Sequence, residues 1–465
     1  MNARPVTDYA TALEFLLGRV NYERTSHIPY QSDGFKLDRM RRLLAAVGDP
    51  HLALKAIHIA GTKGKGSTAA MIAEVLTAAG YKTGLYTSPH LERIEERIAI
   101  GGETCPEGRL VALAARLQDA LGHIDLPDGG PTFFEITTAL AFLHFAESRV
   151  DAAVLEVGLG GRLDSTNVCR PEVTVITSIS YDHMRQLGNT LAAIAGEKAG
   201  IIKPGVAVIS GVLADEPRQV IAERAREVGA RLVQRGTDFE FTRRMSSESA
   251  ERMDYREPRG ELLGLELAMP GEHQAANAAC AVAALLRLVE RGWDVSEEAI
   301  RTGLASARCP ARIELLSGQP AVVLDVAHNP ASIAALLDVL DERLPDRRKV
   351  LIFASSKDKD YAAMLGLAMP RFNAVVLTQY VQNPRAMEAE RLAEMAREMA
   401  APAHQPAVIE VAATPAEALF LARRLVGPDD VVCITGSFFL AAELRPLLAP
   451  SRVEAIGDRA TLAAG

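Results

Sequence analysis

The stretch AIHIAGTKGKGSTAAMIAEVLTAAGYKTGLY, residues 56–86, decides the fold. It opens on the apolar run Ile57-His58-Ile59-Ala60, of the kind that forms a buried parallel strand. The chain then turns through Gly61, Gly64 and Gly66. Beyond them the apolar residues Met71, Ile72, Val75 and Leu76 recur at helical spacing, and the pattern stops at Gly80. Strand, glycine-rich turn and helix together aim unpaired backbone N–H groups and a helix N-terminus at a phosphate. Lys65 adds a point charge for the outer phosphates, and Ser67 or Thr68 offers a hydroxyl to a magnesium ion. The general phosphate-loop pattern has Ser or Thr directly after the Lys, whereas here Gly66 intervenes. The loop is either a variant class or a bare turn; the flanking strand and helix favour nucleotide binding.

Outward from this stretch, apolar runs alternate with helical patterns. Residues 8–20 and 36–47 read as helices, joined by the polar link NYERTSHIPYQSDG. Lys82–Thr87 reads as a second strand and Glu96–Ile100 as a third, closed by Gly101-Gly102. Helices follow at 107–121 and 135–148, then buried strands at Asp151–Val157 and Glu172–Ser180. Strands alternating with helices predict a parallel, doubly wound sheet with ligands at the carboxyl ends of its strands. From Thr237 to Met269 the texture shifts to small antiparallel strands with a polar tip, MSSESAERMD. A helix over Ala275–Glu290 follows. After a composition break near Leu315-Ser317-Gly318-Gln319-Pro320, strands and helices restart and run to Leu448 without a second phosphate loop. The expected organisation is α/β: a phosphate-loop, doubly wound ATPase domain over 1–314, with its small β region near 237–269. A smaller Rossmann-like α/β domain over 315–465 completes it.

Composition narrows the class. A net charge of -8 argues against a broad nucleic-acid surface, which needs a basic stripe, but leaves room for a basic pocket. The N-terminus lacks a signal-peptide layout and no apolar run approaches membrane length. Five scattered cysteines, never in a C-x-x-C pair, read as thiols in a reducing compartment rather than zinc ligands or disulfides. The cytoplasm is the expected location, with no membrane or nucleic-acid partner.

Several residues sit where chemistry is expected. Glu156 ends a buried strand and is either a surface carboxylate or a magnesium ligand opposite the loop, since Mg²⁺ takes one or two carboxylates plus phosphate oxygens. His183, beside Asp182, follows the next strand at the same sheet edge and is either a structural histidine or a ligand. Gly158-Leu159-Gly160-Gly161 lacks the spacing of a dinucleotide fingerprint. Lys198 lies among small and apolar residues. It is either a snorkelling helix residue or a desolvated amine able to react, for instance with carbon dioxide to give a carbamate. Asp325-Val326-Ala327-His328-Asn329-Pro330 ends the first strand of the second domain, as a plain loop or as a grip on a nucleotide.

In order along the chain, several pieces resemble the folylpolyglutamate synthase family, often bifunctional with dihydrofolate synthase, within the Mur-type amide ligases. The matching pieces are Gly61 to Ser67, Tyr86 to Leu91, Phe133-Phe134-Glu135, Glu156 to Asp164, Asp182-His183, Glu197 to Gly200, Asn277-Ala278-Ala279 and Asp325 to Pro330. Asp358-Lys359-Asp360 and Gly436-Ser437 support the last third. The resemblance implies that Thr62, Lys63, Gly64, Lys65, Gly66 and Ser67 cradle ATP, with Asn277, Arg312 and Asp325 also contacting it. It implies magnesium at Ser88, Glu156 and His183, a second magnesium supported by carbamylated Lys198, and His328 near the phosphates. Lys65, Lys198 and His328 would form the catalytic set. Phe133, Phe134, Glu135, Leu163, Asp164 and Ser165 would contact the pterin. Three places depart from the family pattern: Lys63 replaces the usual Asn, Ala311 a Gly before Arg312, and Ala354 another Gly.

The expected activity is ATP-dependent amide ligation through an acyl phosphate, joining L-glutamate to folate or dihydropteroate in a monomer. The Leu315–Pro320 link is expected to be the hinge. A sister ligase acting on a nucleotide-linked cell-wall precursor shares the same parts, and Phe133-Phe134-Glu135 with Leu163-Asp164 favours folate. A phosphate-loop switch protein would leave Lys198 and the second domain without a role.

Overall fold

The structure, a computed structural model, describes residues 4–24, 37–126, 130–245, 251–316, 318–399, 408–448 and 453–454. Part of the expected 21–34 link, much of the 245–254 tip, Ser317 and most of the tail beyond Pro450 lie outside the described residues.

The first body is built on an eight-stranded sheet. Its strands are β1 (Ala56–Ala60), β2 (Thr83–Tyr86), β3 (Ile98–Ile100), β4 (Glu103–Thr104), β5 (Ala152–Glu156), β6 (Pro171–Ile176), β7 (Ala207–Ser210) and β8 (Leu232–Gln234). Their spatial order is β4-β3-β2-β5-β1-β6-β7-β8, parallel from β2 to β8 and antiparallel at the β3 and β4 edge. Strand β1 is central, and all five of its residues are buried. That is why it reads as an unbroken apolar run: helices cover both faces of a parallel sheet. The helix Lys65–Ala78 is buried on nearly every side, between the sheet and the helices Glu272–Glu290 and Glu297–Ser306. Close packing there needs Gly303, where a Cβ would stand 2.4 Å from the Val75 Cα. Side chains such as Ile57, Val75 and Val154, fully buried, each contribute roughly 1.5–3 kcal/mol.

Strands β9 (Glu240–Met245), β10 (Glu251–Glu257) and β11 (Gly260–Leu267) form a small antiparallel sheet. Its inward residues Phe241, Met253, Tyr255 and Leu265 join the core of the first body rather than forming one of their own.

The second body carries a seven-stranded sheet. Its members are β12 (Glu314–Leu316), β13 (Ala321–Leu324), β14 (Lys349–Phe353), β15 (Ala374–Leu377), β16 (Val408–Val411), β17 (Val431–Thr435) and β18 (Val453–Glu454). The order is β16-β15-β14-β17-β13-β12-β18, parallel except where β12 pairs with β13 and β18. This sheet corrects the hinge expectation. Leu315 pairs with Val323 and Leu316 with Val322, so the start of this link is a strand of the second sheet. The chain crosses between the bodies just upstream, through 307–313, where Ala311 (φ +56°) and Ile313 (φ +51°) both adopt left-handed backbone. Among the described residues no helix is long and apolar enough to cross a membrane, and all five cysteines are unpaired.

Candidate active site

The carboxyl ends of both sheets meet across one cavity of about 580 Å³. The first body contributes the loops after β1, β2, β5 and β6, at the point where the chain reverses direction across the sheet. That is where open α/β sheets collect ligands. The second body contributes the loops after β13, β14 and β17.

The loop after β1 is fixed by its neighbour. Thr62 N–H donates to the Ser178 carbonyl (2.8 Å), and Lys63 N–H to Ser178 Oγ (3.0 Å). The Lys63 carbonyl accepts from Thr177 Oγ1 (2.6 Å) and Ser178 Oγ (3.0 Å). Gly64, at φ +84°, begins the helix Lys65–Ala78 with no side-chain cap. The first-turn N–H groups therefore face the cavity as an anion site. A Cβ on Gly64 would lie 2.1 Å from Asn277 Oδ1, so the loop needs glycine both for its backbone angle and for this approach. Of the two candidate hydroxyls, Ser67 lines the cavity and Thr68 does not.

Charged side chains of both signs line the wall. Lys65 Nζ stands 4.0 Å from Glu156 Oε1. Glu156 is buried and accepts from the Ser88 N–H (3.1 Å). Burial raises its pKa, with Lys65 opposing the shift. A buried carboxylate with so little local compensation fits a metal cation. Among the described residues no group of three or more His, Cys, Asp or Glu could hold a metal alone. An ion here must take most of its ligands from phosphate, hydroxyl and water, the habit of magnesium. Lys198, buried, donates to the Gly61 carbonyl (3.0 Å), which brings the last turn of the helix Leu191–Ala199 against the phosphate loop. Burial, with Lys65 nearby, lowers its pKa to about 7, so a substantial fraction of the amine is neutral near neutrality.

The second body supplies Arg312, Asp325, His328 and Lys359. Asp325 accepts from the N–H groups of Ile313 (3.0 Å) and Ala327 (2.7 Å) and so fixes the segments on which Arg312 and His328 stand. His328 Nδ1 lies 2.8 Å from the Val326 carbonyl. A carbonyl only accepts, so Nδ1 carries the proton and Nε2 keeps its lone pair. Burial and the Lys63 charge lower the pKa of His328 to about 4 and keep it neutral.

Asp182, which sequence reasoning noticed only beside His183, is the hub. It pairs with Lys63 (2.9 Å) and with Lys359 (2.6 Å), and His328 Nε2 is 3.6 Å away. Burial opposes its ionisation, but the Lys63 and Lys359 ammonium groups hold its carboxyl well below the usual range. His183 itself lines the cavity, half-exposed, with left-handed backbone at φ +49°.

Away from the phosphate loop the cavity becomes apolar. Phe134 and Leu163 line it, and a Cβ on Gly158 would stand 2.4 Å from Phe134 Cζ. The remaining expected contacts are mainly structural. Phe133 does not line the cavity; it is buried beneath the Arg97 guanidinium, 5.0 Å from the ring centroid, so its expected pterin contact is withdrawn. Glu135 lines the cavity, yet its carboxylate accepts from Arg39 (2.9 Å) and from Thr132 N–H and Oγ1 (both 2.8 Å) in a capping box. Asp164 caps a 3-10 turn through Thr166 N–H (3.0 Å) and also accepts from Leu159 N–H (2.9 Å). Ser165 Oγ bonds Thr138 Oγ1 (2.9 Å). Arg39 and Glu23 line the site without having been singled out from sequence, and Lys359, named there only within the piece Asp358-Lys359-Asp360, had no expected role. For Lys359 a signal existed, because it follows a strand end as His328 does.

Residues 59–285 match the Mur ligase middle domain and residues 311–438 the Mur ligase glutamate ligase domain. The chain is 36% identical over 413 residues to a folylpolyglutamate synthase of Lacticaseibacillus casei, covering 88% of this chain and 94% of that protein. Among solved structures, a Mycobacterium tuberculosis folylpolyglutamate synthase complexed with ADP superposes with TM-score 0.85 at 32% identity. That match covers 96% of this chain and all (100%) of the other. A bifunctional folylpolyglutamate synthase/dihydrofolate synthase from Yersinia pestis, complexed with AMPPNP and a manganese ion, gives 0.81 at 31% identity, covering 96% and 99%. By these matches along nearly its whole length, the chain belongs to the folylpolyglutamate synthase/dihydrofolate synthase family of Mur-type ligases.

Proposed function

We propose that the chain joins L-glutamate to a folate, and to dihydropteroate, at the expense of ATP. One observation carries the reading: the lysine-lined phosphate loop and the apolar wall at Phe134 and Leu163 belong to a single cavity closed by the second body. A triphosphate and the carboxylate of an aromatic acceptor thereby meet in one enclosure. The γ-phosphoryl passes to the acceptor carboxylate, giving an acyl phosphate. The glutamate amine attacks its carbonyl carbon, and phosphate leaves as the amide forms.

The residues divide the work. Lys65 and the N–H groups of residues 65–67 bind the phosphate oxygens, with Asn277 packed against the loop and Arg312 facing it from the second body. Ser88, Glu156 and His183 would hold a magnesium ion, which supplies charge neutralisation between two anions that otherwise repel. Lys198, close behind Gly61 and partly neutral, is the candidate for a carbamate supporting a second ion. The acyl phosphate is prone to hydrolysis, so the second body excludes water, pivoting at the 307–313 crossing. The first body then comprises the residues before this crossing and the second those after it. The protein acts as a monomer in the cytoplasm.

The test is ADP release by purified protein with ATP, magnesium, L-glutamate and a panel of acceptors. Release that requires both glutamate and tetrahydrofolate supports the reading, and release with dihydropteroate extends it to both activities. Release that is indifferent to glutamate, or that needs a cell-wall nucleotide precursor, refutes it.

A further inference from the structure

Lys63 stands where the family pattern has Asn, and its surroundings give the replacement a use. Its backbone is clamped from both sides by Thr177 and Ser178 at the end of β6. That clamp fixes the direction in which the side chain leaves the loop. The ammonium reaches Asp182 Oδ2 at 2.9 Å, on its own body, and His328 Nε2 at 2.7 Å, on the other. The second contact is chemically matched. Because Nδ1 gives its proton to the Val326 carbonyl, Nε2 can only accept, and an ammonium can only donate. The shorter side chain of Asn could not span from the loop to both partners.

We propose that Lys63 is a positioning residue that straps the phosphate loop to the second body, with one ammonium N–H on Asp182, one on His328, and the third turned to an anionic group of the nucleotide. The proposal rests on the nucleotide reading of the loop. Lys359 also bridges the bodies, reaching Asp182 at 2.6 Å from the second sheet. The two lysines therefore divide the task. Lys359 fastens the loop after β14, whereas Lys63 fastens the loop after β13 and sets His328 beside the phosphate site. The cost of losing Lys63 falls locally, at residues 328–329, whose N–H groups have only the Ser332 hydroxyl at 3.3 Å.

Hydrogen exchange followed by mass spectrometry on the full chain, without nucleotide, tests this, with ADP affinity measured by calorimetry on the same samples. In K63N the amides of 328–329 exchange about fivefold faster or more, in keeping with the loss of a charged hydrogen bond, while 356–360 is unchanged. K359M gives the opposite pattern, and K63R, which keeps two donors, restores protection at 328–329. ADP binding weakens severalfold in K63N and recovers in K63R. Unchanged exchange at 328–329 in K63N overturns the strap, whatever happens to ADP. Unchanged ADP affinity in K63N overturns the role of the third N–H. If the wild-type protein binds no ADP, the nucleotide reading itself fails, and the exchange pattern still decides the strap.

Discussion

Two glycines divide the site into halves that respond separately to one added methyl group. Gly64 combines φ +84° with a Cβ position 2.1 Å from Asn277 Oδ1. G64A imposes a left-handed Ala and pushes Asn277 away, a strain of about 1–3 kcal/mol in the loop. Calorimetry should show ADP binding weakened by about fivefold or more for that strain, with acceptor binding little altered. Gly158 has ordinary backbone, and its constraint is purely spatial: Phe134 Cζ would lie 2.4 Å from a Cβ. G158A must displace the ring that lines the apolar end of the cavity. Overpacking of this kind costs about 1–3 kcal/mol, so the KM for the folate acceptor should rise about fivefold or more while ADP affinity stays at the wild-type value. A G158A enzyme that loses ADP binding, or a G64A enzyme that loses only acceptor binding, would show that the two halves are assigned the wrong way round.

Among the elements, β1 holds a group the chemistry does not use. His58 is fully buried in this central strand, with Nε2 on Thr166 Oγ1 at 2.8 Å and Nδ1 without a partner. Burial lowers its pKa to about 3. The unfolded chain takes up a proton near the ordinary histidine value and the folded chain does not. Stability is therefore kept above that value and lost as pH falls between it and the folded pKa. From pH 7 to pH 5, His58 alone should remove about 2 kcal/mol. H58Q, which retains a partner for Thr166, should lose about that much less than wild type over the same interval in urea melts. Equal losses in both proteins would mean that His58 titrates normally in the fold.

The same strand shows why part of the fold is legible. Strands β1, β5, β14 and β17 are buried along their whole length, so their apolar runs stand out. The three-residue β8 is too short to make such a run, and β4 is two exposed residues. The helix Asp215–Glu227 buries only Pro217, Ile221 and Ala225 along its length, too few for a clear stripe. Site residues follow the same logic. Lys65, Glu156, Asp325 and His328 could be placed because each lies at or just past a strand end, where the parallel fold puts ligands. Glu23 and Arg39 come from the N-terminal segment and reach the cavity only through tertiary contacts. Phe133 was misplaced because the stretch Phe133-Phe134-Glu135 starts a helix, which turns adjacent side chains to different faces.

At the scale of the whole molecule, polar contacts link the two bodies, while Leu91 of the first packs on the core of the second. Besides Lys63 and Lys359, Arg445 reaches Glu92 at 2.9 Å, and Arg243 reaches Glu342 at 2.7 Å from the small antiparallel sheet. Glu92 and Glu342 are each about one-third exposed, so each pair is worth at most about 1 kcal/mol to folding. Such contacts matter little to whether the chain folds. They matter far more to an equilibrium between closed and open arrangements that differ by only a few kcal/mol. Removing both carboxylates in E92A/E342A withdraws about 1–2 kcal/mol from closure, enough to raise the open fraction roughly fivefold to thirtyfold. Neither residue lines the cavity, so nucleotide and acceptor binding groups are intact. The variant should melt near the wild-type temperature yet release more ADP than it forms amide, because acyl phosphate meets water before glutamate reaches it. Measuring ADP and glutamylated product together gives a ratio near one for wild type and clearly above one for the variant. A ratio near one in both would show that the bodies shield the intermediate without these outer pairs, leaving closure to other contacts such as those around Asp182 and the buried Arg343–Glu251 pair.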